Sequence, residues 1–202
     1  MINIICFGDS ITEGAEFPVN ARWPSLLQKK LDVAKPDVFE VHNRGVGGHT
    51  SAQGFDRFWS DVSSLLPGVL LIQFGFNDGD VKDFSIVPRV GLAEFEKNLK
   101  EFHRIAKDNN SVPVFIINHI IGELAARQGN GKTYNENIAP YNDAIRKIVN
   151  DLKADFIDVP LQMSLRDIDT NDFVSGDKVH LSLEANHIYA DIIFSGLNQI
   201  TL

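Results

Sequence analysis

One cysteine, Cys6, in a chain of 202 residues leaves nothing to pair with it, so no internal disulfide can brace the fold and an apolar core has to do so. Cys6 sits within an apolar run, which reads as a core thiol rather than a nucleophile. Basic residues are also scarce, with 19 Lys and Arg against 27 Asp and Glu, for a formal charge of −8. Such a chain lacks the clustered cations that a nucleic-acid backbone or an anionic membrane surface requires. No nucleic-acid partner is expected, and a neutral or sugar-like small molecule suits the charge better. No apolar stretch approaches the roughly 20 residues of a membrane-spanning helix. The opening segment MINIICF has neither the basic region nor the long apolar core and cleavage site of a secretory leader, so a cytoplasmic location is expected. Internal repeats, low-complexity tracts and Pro- or Ser-rich linkers are missing too, and residues 1–202 are expected to form one domain. Nothing in the sequence bears on oligomeric state.

What the chain does contain is 44% hydrophobic and 23% charged residues, a soluble globular composition, arranged as short apolar runs alternating with stretches of helical period. The runs predict five buried strands at Ile2–Phe7, Val38–Asn43, Val69–Phe74, Val112–Asn118 and Asp155–Val159. Five amphipathic helices are predicted between and after them. Their apolar stripes run through Trp23, Leu26, Leu27 and Leu31, then Phe55, Phe58, Trp59, Val62 and Leu65, then Leu92, Phe95, Leu99, Phe102 and Ala106. The last two stripes are Ile138, Tyr141, Ile145, Ile148 and Leu152, and a helix from about Leu183 with Ser182 as its cap. Repeated βα units of this kind predict a single doubly wound α/β domain of flavodoxin-like type, a three-layer α/β/α arrangement around a parallel sheet. Ligands of such sheets bind beyond the carboxyl ends of the strands, so the loops that follow the strands carry the functional information.

Four of those loops hold reactive or polar residues. Gly8-Asp9-Ser10 after the first strand lifts a hydroxyl into the crevice, although a serine there can equally be a helix cap. Asn43 to Thr50 after the second strand contains Gly45, Gly47 and Gly48, whose backbone amides can approach an oxyanion or merely form a turn. Gly75-Phe76-Asn77-Asp78-Gly79 after the third offers a carboxamide donor or simple turn chemistry. Asp177 stands three residues before His180, close enough for the carboxylate to accept from Nδ1–H and leave Nε2 free to take a proton, or for the two to be ordinary surface neighbours. A doubly wound sheet would gather all four at one end, and the conjunction points to nucleophile and base chemistry.

These blocks, GDS at Gly8–Ser10, GGHT at Gly47–Thr50, GxND at Gly75–Asp78 and DxxH at Asp177–His180, taken in this order, resemble the SGNH (GDSL-type) hydrolases over nearly the whole chain. The resemblance implies a five-stranded parallel sheet of order 2-1-3-4-5. It also implies ester hydrolysis through an acyl-enzyme, with Ser10 as nucleophile, His180 as base and Asp177 as its orienter. The oxyanion hole it implies is formed by the N–H groups of Ser10 and Gly48 and the side chain of Asn77, with no metal and no organic cofactor. Ile11 replaces the family's common Leu, a volume-conserving change. The register of the glycine block is open between Gly45, Gly47 and Gly48, with Gly48 preferred because Thr50 and Ser51 follow it.

Three rival readings stand beside this one. An acyltransferase would use the same Ser-His-Asp site with an alcohol replacing water. A dinuclear metallophosphoesterase would use Asp9, Asn77, His119 and His180 as ligands, but lacks an Asp-x-His after the first strand. A receiver-like module would need an acidic pair that Asp9-Ser10 does not supply. Substrate choice is assigned to the long loops 78–90 and 119–137. Phe76, Val81, Phe84 and Ile86 either line a small acyl pocket or pack the loop down, while His49, Phe76 and His119 are candidate substrate contacts. A small-molecule ester with a short acyl group, such as an acetylated carbohydrate, is the expected partner.

Overall fold

The computed structural model describes residues 1–200. Five strands, β1 (Ile2–Gly8), β2 (Phe39–Gly45), β3 (Gly68–Gln73), β4 (Val112–Ile117) and β5 (Asp155–Asp158), form one parallel sheet of order β2-β1-β3-β4-β5. This is the doubly wound order expected. Nine helices accompany them among the described residues: α1 (Ser10–Glu13), α2 (Trp23–Ala34), α3 (Ser51–Val62), α4 (Phe76–Gly79), α5 (Leu92–Asp108), α6 (Tyr134–Leu152), α7 (Val159–Leu165), α8 (Thr170–Phe173) and α9 (Leu183–Leu197).

The period of two along a strand divides the core into two layers. Ile4, Cys6, Leu71, Val114 and Ile116 point to one face, where α2 and α9 bring Trp23, Leu27, Tyr189 and Ile193. Ile5, Phe7, Leu70, Ile72, Phe115 and Ile117 point to the other, against Phe58, Phe95, Phe102 and Ile145 of α3, α5 and α6. Phe7 packs edge-on against Phe58, Phe74 and Phe102, with ring centroids 5.3 to 5.5 Å apart. Cys6 is fully buried in the first layer, as expected of a core thiol.

Three expectations are corrected. The five strands are not all buried: only Phe39 of β2 and Ile157 of β5 are, because the strand order leaves these two at the edges of the sheet. On α3 the buried row is Ser51, Gly54, Phe58 and Val62, so Phe55 and Trp59, one helical step aside, stay 42% and 56% exposed. The four short helices α1, α4, α7 and α8 carry no periodic stripe and were not predicted. No helix among the described residues is long and apolar enough to cross a membrane.

The sheet's carboxyl edge is crowded where α1 crosses β2. A Cβ on Gly45 would meet the Thr12 carbonyl carbon at 2.6 Å and the Glu13 Cα at 2.7 Å, both backbone and neither able to swing away. Glycine there is what lets α1 lie on the end of β2. Gly45→Ala should lower stability by about 1–3 kcal/mol, read from the urea midpoint, and displace α1.

Candidate active site

Three residues far apart in sequence meet above this edge. β1 ends at Gly8, and Asp9 caps α1 by accepting from the Ile11 amide at 3.0 Å, which leaves Ser10 at the first helical position facing the crevice. Ser10 Oγ lies 2.8 Å from His180 Nε2, and His180 Nδ1 lies 2.5 Å from Asp177 Oδ2. The turn that carries the last two is closed by the bridge between Val174 and Leu181 and by the bond from the Ser175 amide to the His180 carbonyl, 2.6 Å.

The proton positions follow from the partners. Burial alone would raise the Asp177 carboxyl, but the His180 ring, the amides of Val179 and His180 and the Ser175 hydroxyl all donate to it and hold it far below the usual carboxylate range. An ionised Asp177 can only accept, so Nδ1 carries the ring proton and Nε2 is left to accept from the Ser10 hydroxyl. This is the arrangement through which an imidazole takes a proton from a hydroxyl.

The glycine block lies against the same serine. A Cβ built on Gly47 would sit 3.9 Å from Ser10 Cβ. The Gly47 amide donates to Glu13 Oε2 at 2.6 Å, whereas the amides of Ser10 and Gly48 have no partner among the described residues. Of the three glycines, Gly45 closes the end of β2 and Gly47 is occupied by Glu13, which leaves Gly48 with a free donor. Gly48 has φ +75°, and nothing lies within 4 Å of where its Cβ would be, so the backbone conformation and not space calls for glycine. Asn77, in the first turn of α4, donates from Nδ2 to the His49 carbonyl at 3.2 Å. Asp78 ties the two loops together by accepting from the Ser51 amide at 2.9 Å and hydroxyl at 2.6 Å.

Two of the candidate substrate contacts, Phe76 and His119, are largely buried, ring against ring with centroids 5.0 Å apart, and line a hollow of about 180 Å³ with Asn118, Ile138 and Asn142 rather than the groove beside His180. The His119 Nε2 bonds the Val179 carbonyl at 2.8 Å, next to His180, and burial pushes its pKa down to about 4, so it is neutral. The third, His49, is half-buried, and its carbonyl rather than its ring touches Asn77. Val81 is buried, but Phe84 and Ile86 are 93% and 78% exposed and neither line a pocket nor pack the loop down. The ligand set of the metallophosphoesterase reading is likewise dispersed into other bonds, and no group of three or more His, Cys, Asp or Glu among the described residues is arranged to hold a metal ion.

Several residues of the site carry no sequence signal that singled them out. Gln73 is buried at the end of β3, accepts from the Thr12 hydroxyl at 2.9 Å and donates to Asn118 Oδ1 at 2.8 Å, lacing α1 and the residue that follows β4 to β3. Glu16 Oε1 lies 3.8 Å from His180 Nε2 at the mouth. Beside His180 opens a groove of about 410 Å³ lined by Asp80, Asp83, Arg127, Gln128, Tyr134 and Asp177. A larger groove of about 510 Å³, between α2 and α9, holds none of these groups.

A family model described as the GDSL-like Lipase/Acylhydrolase family matches residues 6–188. The chain belongs to that family. Among curated relatives of this GDSL-like protein, the uncharacterized lipoprotein YqeF of Bacillus subtilis is 30% identical over 135 residues, 64% of this chain and 51% of its own. An arylesterase of Vibrio mimicus is 28% identical over 133 residues, 66% of this chain and 60% of its own. The GDSL-like chain thus spans between half and two thirds of the length of these relatives. Among solved structures, the acetyl xylan esterase AlAXEase superposes with a TM-score of 0.79 at 24% identity, covering 97% of this chain and 100% of that one, a likeness of fold.

Asp9 supplies a test of how the turn that carries Ser10 is built. It is fully buried, and burial, with the Asp78 charge adding to it, pushes its pKa up to about 7. The folded state therefore holds a proton on Asp9 that the unfolded chain has released by about pH 4, and stability from this group is lost as pH rises from about 4 to 7. Asp9→Asn keeps a capping acceptor and removes the titration. Its stability relative to wild type should climb across that window and level off above it, as measured by denaturant unfolding at a series of pH values.

Proposed function

We propose that this protein is a serine-dependent carboxylic-ester hydrolase acting on small esters with a short acyl group and a polar alcohol. The observation that carries the reading is the unbroken chain of short contacts from the Ser10 hydroxyl through the His180 ring to the Asp177 carboxylate. His180 Nε2 removes the Ser10 proton as Oγ attacks the ester carbonyl, and Asp177 stabilises the imidazolium that forms. The tetrahedral oxyanion is held by the free amides of Ser10 and Gly48 and by the Asn77 carboxamide. His180 then hands its proton to the departing alcohol, an acyl-Ser10 ester remains, and water deprotonated by His180 releases the acid. Side chains and backbone suffice for each step.

The groove beside His180 mixes the apolar side chains of Leu124, Ala126 and Val179 with the polar Asp80, Asp83, Gln128 and Tyr134, and the polar members supply hydrogen-bond partners for the hydroxyls of an alcohol such as a sugar. The hollow between Ser10, Ile11, Glu16, Phe17 and His180 is only about 10 Å³, room for about one water, so a long acyl chain has no place there. The acetyl xylan esterase of like fold is consistent with such a substrate.

Hydrolysis of p-nitrophenyl acetate tests the assignment. Ser10→Ala should reduce turnover to background, and His180→Ala should lower it by roughly 10²–10⁴-fold. Asn77→Ala should cost roughly 10²–10³ in kcat. Retention of wild-type turnover by Ser10→Ala would overturn the mechanism. Chain-length preference is read from acetate, butyrate and octanoate esters, with acetate expected fastest.

A further inference from the structure

A single guanidinium reaches two parts of the proposed oxyanion hole and the helix cap beside them. Arg89 donates from Nη2 to the Gly48 carbonyl at 2.9 Å and to Gln53 Oε1 at 3.1 Å, and from Nη1 towards Asn77 Oδ1 at 3.4 Å. Gln53 in turn closes the cap of α3, where its Oε1 accepts from the Thr50 amide at 3.0 Å. Arg89 lies outside all four motif blocks, at the end of the loop from Asp80, and its main chain is nevertheless pinned. The Arg89 amide donates to the Asp80 carbonyl at 3.0 Å and the Val90 amide to the Asp78 carbonyl at 3.1 Å, while the Val90 carbonyl accepts the Tyr141 hydroxyl at 2.5 Å.

We propose that Arg89 is a positioning residue that presets the oxyanion donors, fixing which way the Asn77 carboxamide faces and holding the Gly48 backbone in place. A carboxamide has two orientations of nearly the same shape, and only one of them offers N–H to the crevice. Reversed, Asn77 would aim an oxygen at the developing oxyanion. A guanidinium has donors and no acceptor, so it can engage only Oδ1, and the His49 carbonyl has acceptors and no donor, so it can engage only Nδ2. The two partners select the same orientation and leave the second Nδ2 hydrogen for the substrate. On the neighbouring loop, the bond to the Gly48 carbonyl restrains a residue whose positive φ has no side-chain packing to hold it. The positive charge also stands behind the Asn77 dipole, where it strengthens the N–H as a donor.

This inference rests on the proposed ester hydrolysis, and its test separates the two. Arg89→Ala and Arg89→Lys are assayed with p-nitrophenyl acetate beside Ser10→Ala, Asn77→Ala and the Asn77→Ala/Arg89→Ala double variant, with thermal unfolding recorded for each. Arg89→Ala should lower kcat by roughly 10-fold to 10²-fold, short of the full cost of deleting a donor, while KM moves less than about 3-fold. In the Asn77→Ala background the same substitution should cost much less, because the group it orients is gone. Arg89→Lys, which can reach the Gly48 carbonyl but cannot fork to Asn77, should fall between wild type and Arg89→Ala, and it keeps the test open should Arg89→Ala fold poorly. An unchanged kcat, a change confined to KM, or losses at 77 and 89 that simply multiply would each overturn the role of Arg89. Activity retained by Ser10→Ala would instead overturn the reading beneath it.

Discussion

In the sheet, Gly8 lies between Gly45 of one neighbour and Gln73 of the other, and the geometry of the site depends on that register. It brings the ends of β1, β2 and β3 level, so the loops that leave them start side by side. A Cβ on Gly8 would fall 2.6 Å from the Gln73 carbonyl oxygen and 2.8 Å from its Oε1. The absence of a side chain lets the Gln73 carboxamide turn back over β1 to reach Thr12 and the Asp9 amide, 3.4 Å away. Arg57 seals the arrangement from the other side by donating to the Gly8 carbonyl at 2.8 Å while its guanidinium lies 4.5 Å from the Phe7 ring centroid. A slip of one residue between β1 and β3 would turn every side chain of one strand to the opposite layer. The two-layered core thus enforces the alignment on which the crevice is built.

Three carboxylates near this edge meet different fates for one physical reason. Asp177 stands in a half-open turn with four donors around it and is kept charged. Asp9 and Asp78 are buried with one oxygen of each unpaired, and burial pushes them up to about 7 and about 6. Desolvation outweighs the few bonds the buried pair receives, whereas at Asp177 the bonds outweigh a smaller desolvation. The charged carboxylate is the one that touches the imidazole. The other two serve as acceptors for Ile11 and Ser51, and so tie loops together rather than taking part in the proton transfers proposed for His180.

The sheet was legible from sequence because buried parallel strands must be apolar on both faces, as in β1, β3 and β4, and the strand order came with the family resemblance. The edge strands were legible in position but not in burial, since neighbours in space decide that. Ser10, Asp177 and His180 stand in short motifs, and the structure places them in contact. The glycine register was open on sequence; in the structure Glu13, 34 positions before Gly47, claims the Gly47 amide. Glu13, Gln73 and Arg89 were invisible for a common reason: their side chains make long-range polar bonds, which leave no periodicity and belong to no local motif. Phe84 and Ile86 misled because apolar character in a loop tip reads as packing, and only coordinates show that nothing lies against it.

The loop that bears those two side chains closes on itself through its first and last residues, Asp80 and Arg89, before it contributes anything to the crevice. The span between the two stem residues is not uniform: Val81 is buried and donates to Gln128 Oε1 at 3.1 Å, and the carbonyls of Lys82, Asp83 and Ser85 crowd Gly129, whereas the side chains of Phe84, Ile86 and Val87 stand in solvent. A lineage, or an engineer, can change the face this lip presents by replacing the three exposed side chains Phe84, Ile86 and Val87, while the packed backbone beneath them stays as it is.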